Sequence, residues 1–266
     1  MPILHQVLDD NVLRLEISRP EARNTLNAAM LDELTAHIVK GDAADDIHAV
    51  LIHAQPGIFC AGGDLKEQLT HLSADADTPA GRLIEALKNC RKPVVACVAG
   101  PAVGFGVTLL YYCDLVYASS SSLFALPFTA LGLTPRFGVS LLALQNAGYH
   151  KAAEKILLSE PISATEALQM GIVSAVCADE EVFPQADARV KRLAAMPAFA
   201  VQNAKKLLRS AWSRRLADIT AEEQAVFAEA AATPAAQEAC SAFLYGLVIP
   251  IPTGWSSVRG SFCGVP

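Results

Sequence analysis

The feature that most constrains the fold is a strand-like segment that runs into a glycine-rich turn and then into an apolar helix. Residues 93–98 are apolar and rich in valine, the chain breaks at 99–101, and Gly104-Phe105-Gly106 opens the apolar segment 107–112. This order predicts a strand, a turn and a buried helix. Glycine lets a ligand approach the backbone, and the first N–H groups of a helix lack partners within it. The turn is therefore a candidate site for an oxyanion.

A second turn of the same kind lies upstream. The strand-like run 49–54 is followed by Gly57-Ile-Phe-Cys-Ala-Gly-Gly63-Asp-Leu65. A single glycine turn between a strand and a helix is explained equally well by packing alone. Two such turns that converge favour the functional interpretation.

Several further segments carry a recognisable pattern in a fixed order. They are Arg19-Pro20 with Asn24-Thr-Leu-Asn27, IFCAGGDLKE at 58–67, KPVVACVAGPAVGFG at 92–106, CDLVYAS at 113–119, Phe124 with Leu131-Gly132, and ISATEALQMGIVSAV at 162–176. With these segments the chain resembles the enoyl-CoA hydratase/isomerase, or crotonase, family over roughly its first two thirds. The form of the second turn, GPAVGFGVTLL, is most similar to the peroxisomal-type Δ3,Δ2-enoyl-CoA isomerase branch.

The resemblance implies an α/β fold, a crotonase-like spiral of ββα turns with a C-terminal helical trimerisation region. We assign residues 1–195 to the spiral core, 196–244 to the helical oligomerisation region and 245–266 to an atypical tail. The tail lacks a helical period and almost all charge, whereas family members usually end in a charged helical segment. An altered reading frame, a vector-derived end and an unusual extension all remain open for it.

The resemblance also implies an acyl-CoA substrate, so that coenzyme A enters with the substrate and no separate cofactor or metal is expected. The implied oxyanion donors are the backbone N–H groups of Gly63 and Phe105. Two such donors stabilise an enolate by several kcal/mol, roughly, in a water-poor site. The implied substrate-binding residues are Arg23, Ala61, Asp64, Leu65, Gly104, Thr108, Phe128 and Arg136. Arg23 either approaches the phosphates of coenzyme A or is a solvated loop residue.

The acid and base groups depart from the family pattern. Family hydratases carry two catalytic glutamates at the positions that match Thr108 and Phe128, and the isomerases carry one at the position that matches Arg136. An arginine cannot act as a base near neutral pH. We expect isomerase-like enolate chemistry with an unidentified or missing proton-transfer group. A thioester hydrolase or decarboxylase, in which Arg136 binds a substrate carboxylate, and a non-catalytic acyl-CoA-binding protomer are the alternatives.

Composition restricts the other functions. The 266 residues carry a net charge of −6 without a basic stripe, which gives no support for nucleic-acid binding. The seven cysteines lie mostly in apolar runs without zinc-site spacing, and they indicate reduced core residues. The N-terminus lacks the pattern of a signal peptide and no run is long enough to span a membrane. We expect a cytoplasmic homotrimer or dimer of trimers.

Local patterns give further predictions. Residues 12–17 alternate as in a half-buried strand, and Asn27 caps a helix that Gly41 closes. Asp64 and Glu67 have the form of a capping box, and Glu67 facing the acyl pocket is the less favoured alternative. Residues 71–79 form a polar loop suited to a lid. Five basic residues are expected to form a solvated helix face: Lys205, Lys206, Arg209, Arg214 and Arg215. The resemblance offers an alternative, in which Lys205 or Lys206 reaches a coenzyme phosphate across the subunit interface.

Overall fold

The computed structural model describes residues 3–7, 10–65, 67 and 77–244, and of residues 3–7 it describes the backbone only. The strands are β1 (Ile3–Val7), β2 (Val12–Ile17), β3 (Ala49–Ala54), β4 (Val94–Val98), β5 (Ala102–Val103), β6 (Leu115–Ser119), β7 (Leu123–Ala125), β8 (Ile162–Ser163) and β9 (Ala175–Cys177). The helices are α1 (Ala28–Ala43), α2 (Pro79–Asn89), α3 (Phe105–Leu110), α4 (Val139–Ala147), α5 (Tyr149–Leu157), α6 (Ala164–Gln169), α7 (Val182–Ala194), α8 (Ala198–Ser210), α9 (Ser213–Ala231) and α10 (Pro234–Leu244). Short 3-10 turns lie at Pro20–Ala22 and Thr129–Leu131.

Two sheets organise the molecule. The larger sheet has the order β1-β2-β3-β4-β6-β9, and the smaller has the order β5-β7-β8. In the larger sheet β1 and β2 are antiparallel and every other pair is parallel. The chain passes from β4 in the larger sheet to β5 in the smaller one, from β6 to β7, and from β8 back to β9 in the larger sheet. This arrangement confirms the predicted mixed α/β fold.

The larger sheet is covered on both faces. Leu13, Leu15 and the alternate residues of β3 and β4 pack into the main core with α1 and α2, while Val12, Leu51 and Val95 pack against α7. The prediction of a half-buried β2 is therefore wrong, because α7 buries its second face. Arg14 lies on that face and is buried through ion pairs with Asp10 and Asp187.

Helix α1 begins as predicted, since the Asn27 side chain accepts the Met30 N–H at 3.0 Å. Its end does not lie at Gly41, because the helix continues to Ala43. A Cβ at Gly41 would lie 2.5 Å from a methyl carbon of Leu13. The glycine is thus needed for close packing of α1 on the sheet rather than for a helix stop.

Helices α8 to α10 occupy the predicted helical region, but its basic residues do not form one solvated face. Lys205 is only 7% exposed and pairs with Asp114 at 2.6 Å, and Arg209 pairs with the same carboxylate at 3.0 Å. Lys205 also donates to the Lys92 carbonyl at 2.6 Å. A buried, paired ammonium is not available to a coenzyme phosphate, so that role for Lys205 is wrong. Lys206 is exposed.

Two predicted segments, the tail and the lid, lie wholly or partly outside the described residues. The tail 245–266 and residues 71–76 of the predicted lid lie outside them. No described helix is long and apolar enough to cross a membrane. The six cysteines of the described ranges are free thiols, as expected for reduced core residues, and Cys263 lies in the tail.

Candidate functional site

The two glycine-rich turns that the sequence singles out pack directly against each other. Val103 N–H donates to the Cys60 carbonyl at 2.9 Å, and Phe59 N–H donates to the Pro101 carbonyl at 3.0 Å. A Cβ at Gly106 would lie 2.8 Å from the Cys60 carbonyl oxygen, closer than a real Cβ contact. Glycine at position 106 therefore allows the first turn of α3 to approach the upstream turn.

A short ladder holds the upstream turn from its other side. Leu26 N–H donates to the Gly62 carbonyl at 2.8 Å, and Asp64 N–H donates to the Leu26 carbonyl at 3.0 Å. Ala61 N–H donates to the Arg23 carbonyl at 3.2 Å. The N–H of Gly63 lies between these bonds and donates to no acceptor among the described residues.

The second free donor is the N–H of Phe105. Helix α3 begins at Phe105, two residues before the predicted apolar segment, with Gly104 in the left-handed region at φ 52°. Among the described residues the Phe105 N–H has no acceptor. A Cβ built on Gly62 would lie 3.8 Å from the Phe105 nitrogen, which places the two turns side by side. The structure thus brings two free backbone donors to one place.

These donors lie in the wall of a cavity of about 400 Å³. All ten residues predicted for the site line it: Arg23, Ala61, Gly63, Asp64, Leu65, Gly104, Phe105, Thr108, Phe128 and Arg136. Sequence reasoning missed Phe227, Phe243 and Leu244 of α9 and α10, which complete the apolar wall. No local pattern marks them, because their place in the wall depends on how helices more than 80 residues downstream fold back.

The thiol below the upstream turn is not a nucleophile. Cys60 is fully buried, and burial raises the pKa of its thiol to about 12 although the Gly62 N–H partly opposes the shift. Its sulfur accepts that N–H at 3.4 Å. A neutral thiol in this position orients the turn, and only the thiolate would attack a thioester.

Carboxylates reach only the edge of the cavity in the described part of the chain. Asp64 forms an ion pair with Arg19 at 3.1 Å, and Glu21 lies 3.7 Å from the same guanidinium with most of its side chain exposed. Glu67 accepts the Ala28 N–H at 2.8 Å and does not line the cavity. Helix capping by the Asp64 and Glu67 pair remains a prediction, since the helix that they would cap lies largely outside the described residues.

Residues without a carboxylate occupy the inner positions. The Thr108 hydroxyl donates to the Gly104 carbonyl at 3.2 Å, and Phe128 contributes an apolar wall. Glu223 lies nearby in α9, but its carboxylate accepts from the Gly138 N–H and from the N–H and hydroxyl of Ser140. It therefore holds the start of α4 and is not aimed into the cavity.

Arg136 is the charged group of the inner cavity. Its guanidinium carbon lies 4.1 Å from the centroid of the Phe227 ring and 4.7 Å from that of Phe137. Its Nη2 donates to the Gln224 side chain at 3.1 Å, and its buried Nε has no partner in the part of the chain that the structure describes. Burial lowers the pKa of Arg136 to about 10 while the charge of Glu223 opposes the shift, so the side chain is cationic at neutral pH.

Comparisons with known proteins identify the family to which this chain belongs. The family model described as enoyl-CoA hydratase/isomerase matches residues 8–246. The chain is 32% identical over 231 residues to a probable enoyl-CoA hydratase of Mycobacterium leprae, covering 86% of this chain and 90% of the relative. It is 33% identical over 234 residues to the 2,3-dehydroadipyl-CoA hydratase of Escherichia coli, covering 88% and 92%.

Solved structures show the same fold. A crystal structure of an enoyl-CoA hydratase/isomerase from Pseudoalteromonas atlantica superposes with a TM-score of 0.87 at 31% identity, over 94% of this chain and 99% of the other. Given a family match over most of the chain and relatives above 30% identity that it covers almost completely, the protein belongs to the enoyl-CoA hydratase/isomerase family.

Proposed function

We propose that this protein binds an acyl-CoA thioester and stabilises its enolate through the N–H groups of Gly63 and Phe105. The observation that supports this most directly is the pair of free backbone donors in the wall of an apolar cavity. Donors that are fixed in advance stabilise developing negative charge on a carbonyl oxygen more strongly in such a site than in water. The relatives, which are named as CoA hydratases, support the substrate class.

The reaction that we propose is isomerase-like, in which a double bond of the acyl chain moves through the enolate. Proton transfer at the acyl carbons requires a group within hydrogen-bond reach of them. The described inner residues Thr108, Phe128 and Arg136 supply no carboxylate, so we expect isomerisation to be slow compared with an enzyme that has a positioned glutamate. Coenzyme A enters with the substrate, and Arg23 at the cavity wall is our candidate for contact with its phosphates.

A second candidate reaction is hydrolysis or decarboxylation of the thioester. The observation that favours it is the cationic side chain of Arg136 in the cavity wall, at the position that the resemblance matches to the isomerase glutamate. Decarboxylation forms the enolate by loss of CO₂ and needs no base, while hydrolysis releases free thiol. A non-catalytic protomer would bind acyl-CoA without isomerising, hydrolysing or decarboxylating it.

The decisive experiment replaces Gly63 with proline, which removes the N–H. We expect Gly63→Pro to lose 10²–10³-fold, roughly, in turnover of whichever CoA ester the parent converts. Gly63→Ala keeps the donor and serves as the control, and circular dichroism checks that both variants fold. Turnover by folded Gly63→Pro equal to that of the parent would show that this N–H does not polarise the thioester.

The side chain at position 105 gives a complementary test. Phe105→Gly keeps the N–H donor and removes a ring that lies 5.7 Å from the Phe137 ring. We therefore expect it to change the preferred acyl group while turnover of the best substrate stays within about tenfold of the parent.

A further inference from the structure

Arg136 is unusual among the buried polar groups of the described chain. Three buried side-chain atoms there lack a hydrogen-bond partner: Tyr111 Oη, Thr134 Oγ1 and Arg136 Nε. Of these residues only Arg136 lines the cavity, and only Arg136 carries a charge. A buried, charged donor without a partner is costly, and the cost is removed when an anion binds.

The protein itself does not neutralise this cation by direct contact in the described residues. Within the described ranges no carboxylate forms a salt bridge with Arg136, and the carboxylate of the nearby Glu223 accepts from Gly138 and Ser140. The guanidinium lies over the rings of Phe137 and Phe227, and its Nη2 donates to Gln224. Among the described residues its buried Nε has no partner, and a guanidinium N–H matches the geometry of a carboxylate oxygen.

The position of the guanidinium relates it to the acyl chain. The centroids of the Phe105 and Phe137 rings lie 5.7 Å apart, and the guanidinium carbon of Arg136 lies 4.7 Å from the Phe137 centroid. Gly63 and Phe105, whose N–H groups are proposed to bind the thioester oxygen, line the same cavity as Phe137 and Arg136. An acyl chain that extends from the thioester through this cavity to Arg136 would place its far end at the guanidinium.

We infer that the physiological substrate is the CoA thioester of a dicarboxylic acid, whose free carboxylate binds Arg136. This inference rests on the proposed function, because it takes the thioester to lie at Gly63 and Phe105. It makes Arg136 a specificity-determining residue, and it explains why a cation is tolerated beside the rings of Phe137 and Phe227 in the cavity wall.

The test compares CoA esters that differ only in a terminal carboxylate or an ethyl group of similar size. The pairs are malonyl-CoA with butyryl-CoA, glutaryl-CoA with hexanoyl-CoA, and adipyl-CoA with heptanoyl-CoA. Calorimetric titration of the full chain should show at least one carboxylated ester that binds tenfold or more tightly than its neutral counterpart. Arg136→Met should abolish that preference, and Arg136→Lys should retain part of it.

Arg82→Met is the matched control, because Arg82 is paired with Asp32 and Asp77 outside the cavity. It should leave the preference unchanged. Equal binding of both members in all three pairs would overturn the inference and leave the proposed function intact. A preference for the carboxylated ester that persists in Arg136→Met would have the same consequence. Failure of the parent to bind any of the six esters would overturn the proposed function as well. Arg136→Lys keeps the test available if Arg136→Met does not fold.

Discussion

Among single side chains, Arg136 decides whether the protein is an isomerase that has lost its base. If the remaining cavity still orients a 3-enoyl-CoA substrate, Arg136→Glu should restore a base near the reacting carbons and raise isomerisation by roughly 10²–10⁴-fold. The introduced carboxylate would also repel an anionic acyl group, so binding of a dicarboxylic CoA ester should weaken in the same variant. Absorbance of the conjugated product gives the isomerisation rate, and titration gives the affinity.

Arg136→Gln is the control for this change, since it removes the cation without supplying a base. It should weaken the dicarboxylic ester without raising isomerisation. If Arg136→Glu alters neither assay, position 136 does not face the acyl chain, and both the isomerase and the anion-binding interpretations fail together.

A contact can be predicted from the sequence when its two residues are close in the chain, but not when they are far apart. Asn27 and Met30 are three residues apart, and the cap that joins them is readable from the sequence. The contact of Glu223 with Gly138 joins positions 85 apart and is carried by no local pattern. The same holds for Arg14, whose burial depends on Asp187 of α7. The glycine-rich turns can be recognised from local composition, whereas the close approach of Gly106 to Cys60 and the entry of Phe227 into the cavity depend on tertiary packing.

Among the helices, α6 shows how a predicted local motif contributes to stability. Its capping box is confirmed, since Glu166 N–H donates to Ser163 Oγ at 3.2 Å and the Ser163 N–H donates to the Glu166 carboxylate at 2.9 Å. The carboxylate also pairs with buried Lys155 at 3.0 Å. Burial alone would raise the pKa of Glu166, but the Ser163 N–H and Lys155 outweigh it and lower the pKa to about 2.

Because the pKa of Glu166 is lowered in the folded protein, its contribution to stability depends on pH. The stabilisation is complete above the unfolded-state pKa of about 4.3 and is lost as pH falls through the folded-state value toward 2. We expect Glu166→Gln to lower the free energy of unfolding by roughly 1 kcal/mol at pH 6, because solvent screens a partly exposed pair. Urea unfolding should show this difference shrinking between about pH 4.5 and pH 2.

Glu229→Gln, at an exposed position of α9, provides the comparison for non-specific effects of charge. Glu229→Gln should change the free energy of unfolding only slightly, both at pH 6 and near pH 2. A difference between Glu166→Gln and the parent that grows on acidification would contradict the assigned role of the capping box.

At the scale of the whole molecule, helix α8 exposes apolar side chains that a partner surface would cover. Phe199, Leu207 and Leu208 are 82%, 72% and 74% exposed, whereas Lys205 of the same helix is buried. Helix α8 therefore carries large exposed apolar side chains, while Lys205 and Arg209 anchor it to Asp114. Large exposed apolar faces mark surfaces that bind a partner. The occupant that we propose is a second copy of this chain within a closed trimer.

This proposal predicts a particle of three times the 28.1 kDa chain mass, or six times if trimers pair. Sedimentation equilibrium at micromolar concentration measures it directly. Introducing charge with Phe199→Glu and Leu207→Glu together should shift the protein toward monomer, because two carboxylates would have to be buried without partners in the assembly. Arg189→Glu, at an exposed position of α7, adds acidic charge elsewhere and should leave the mass unchanged. A parent protein that sediments as a stable monomer would refute the trimer, and a variant that assembles as the parent does would place the contact on another face.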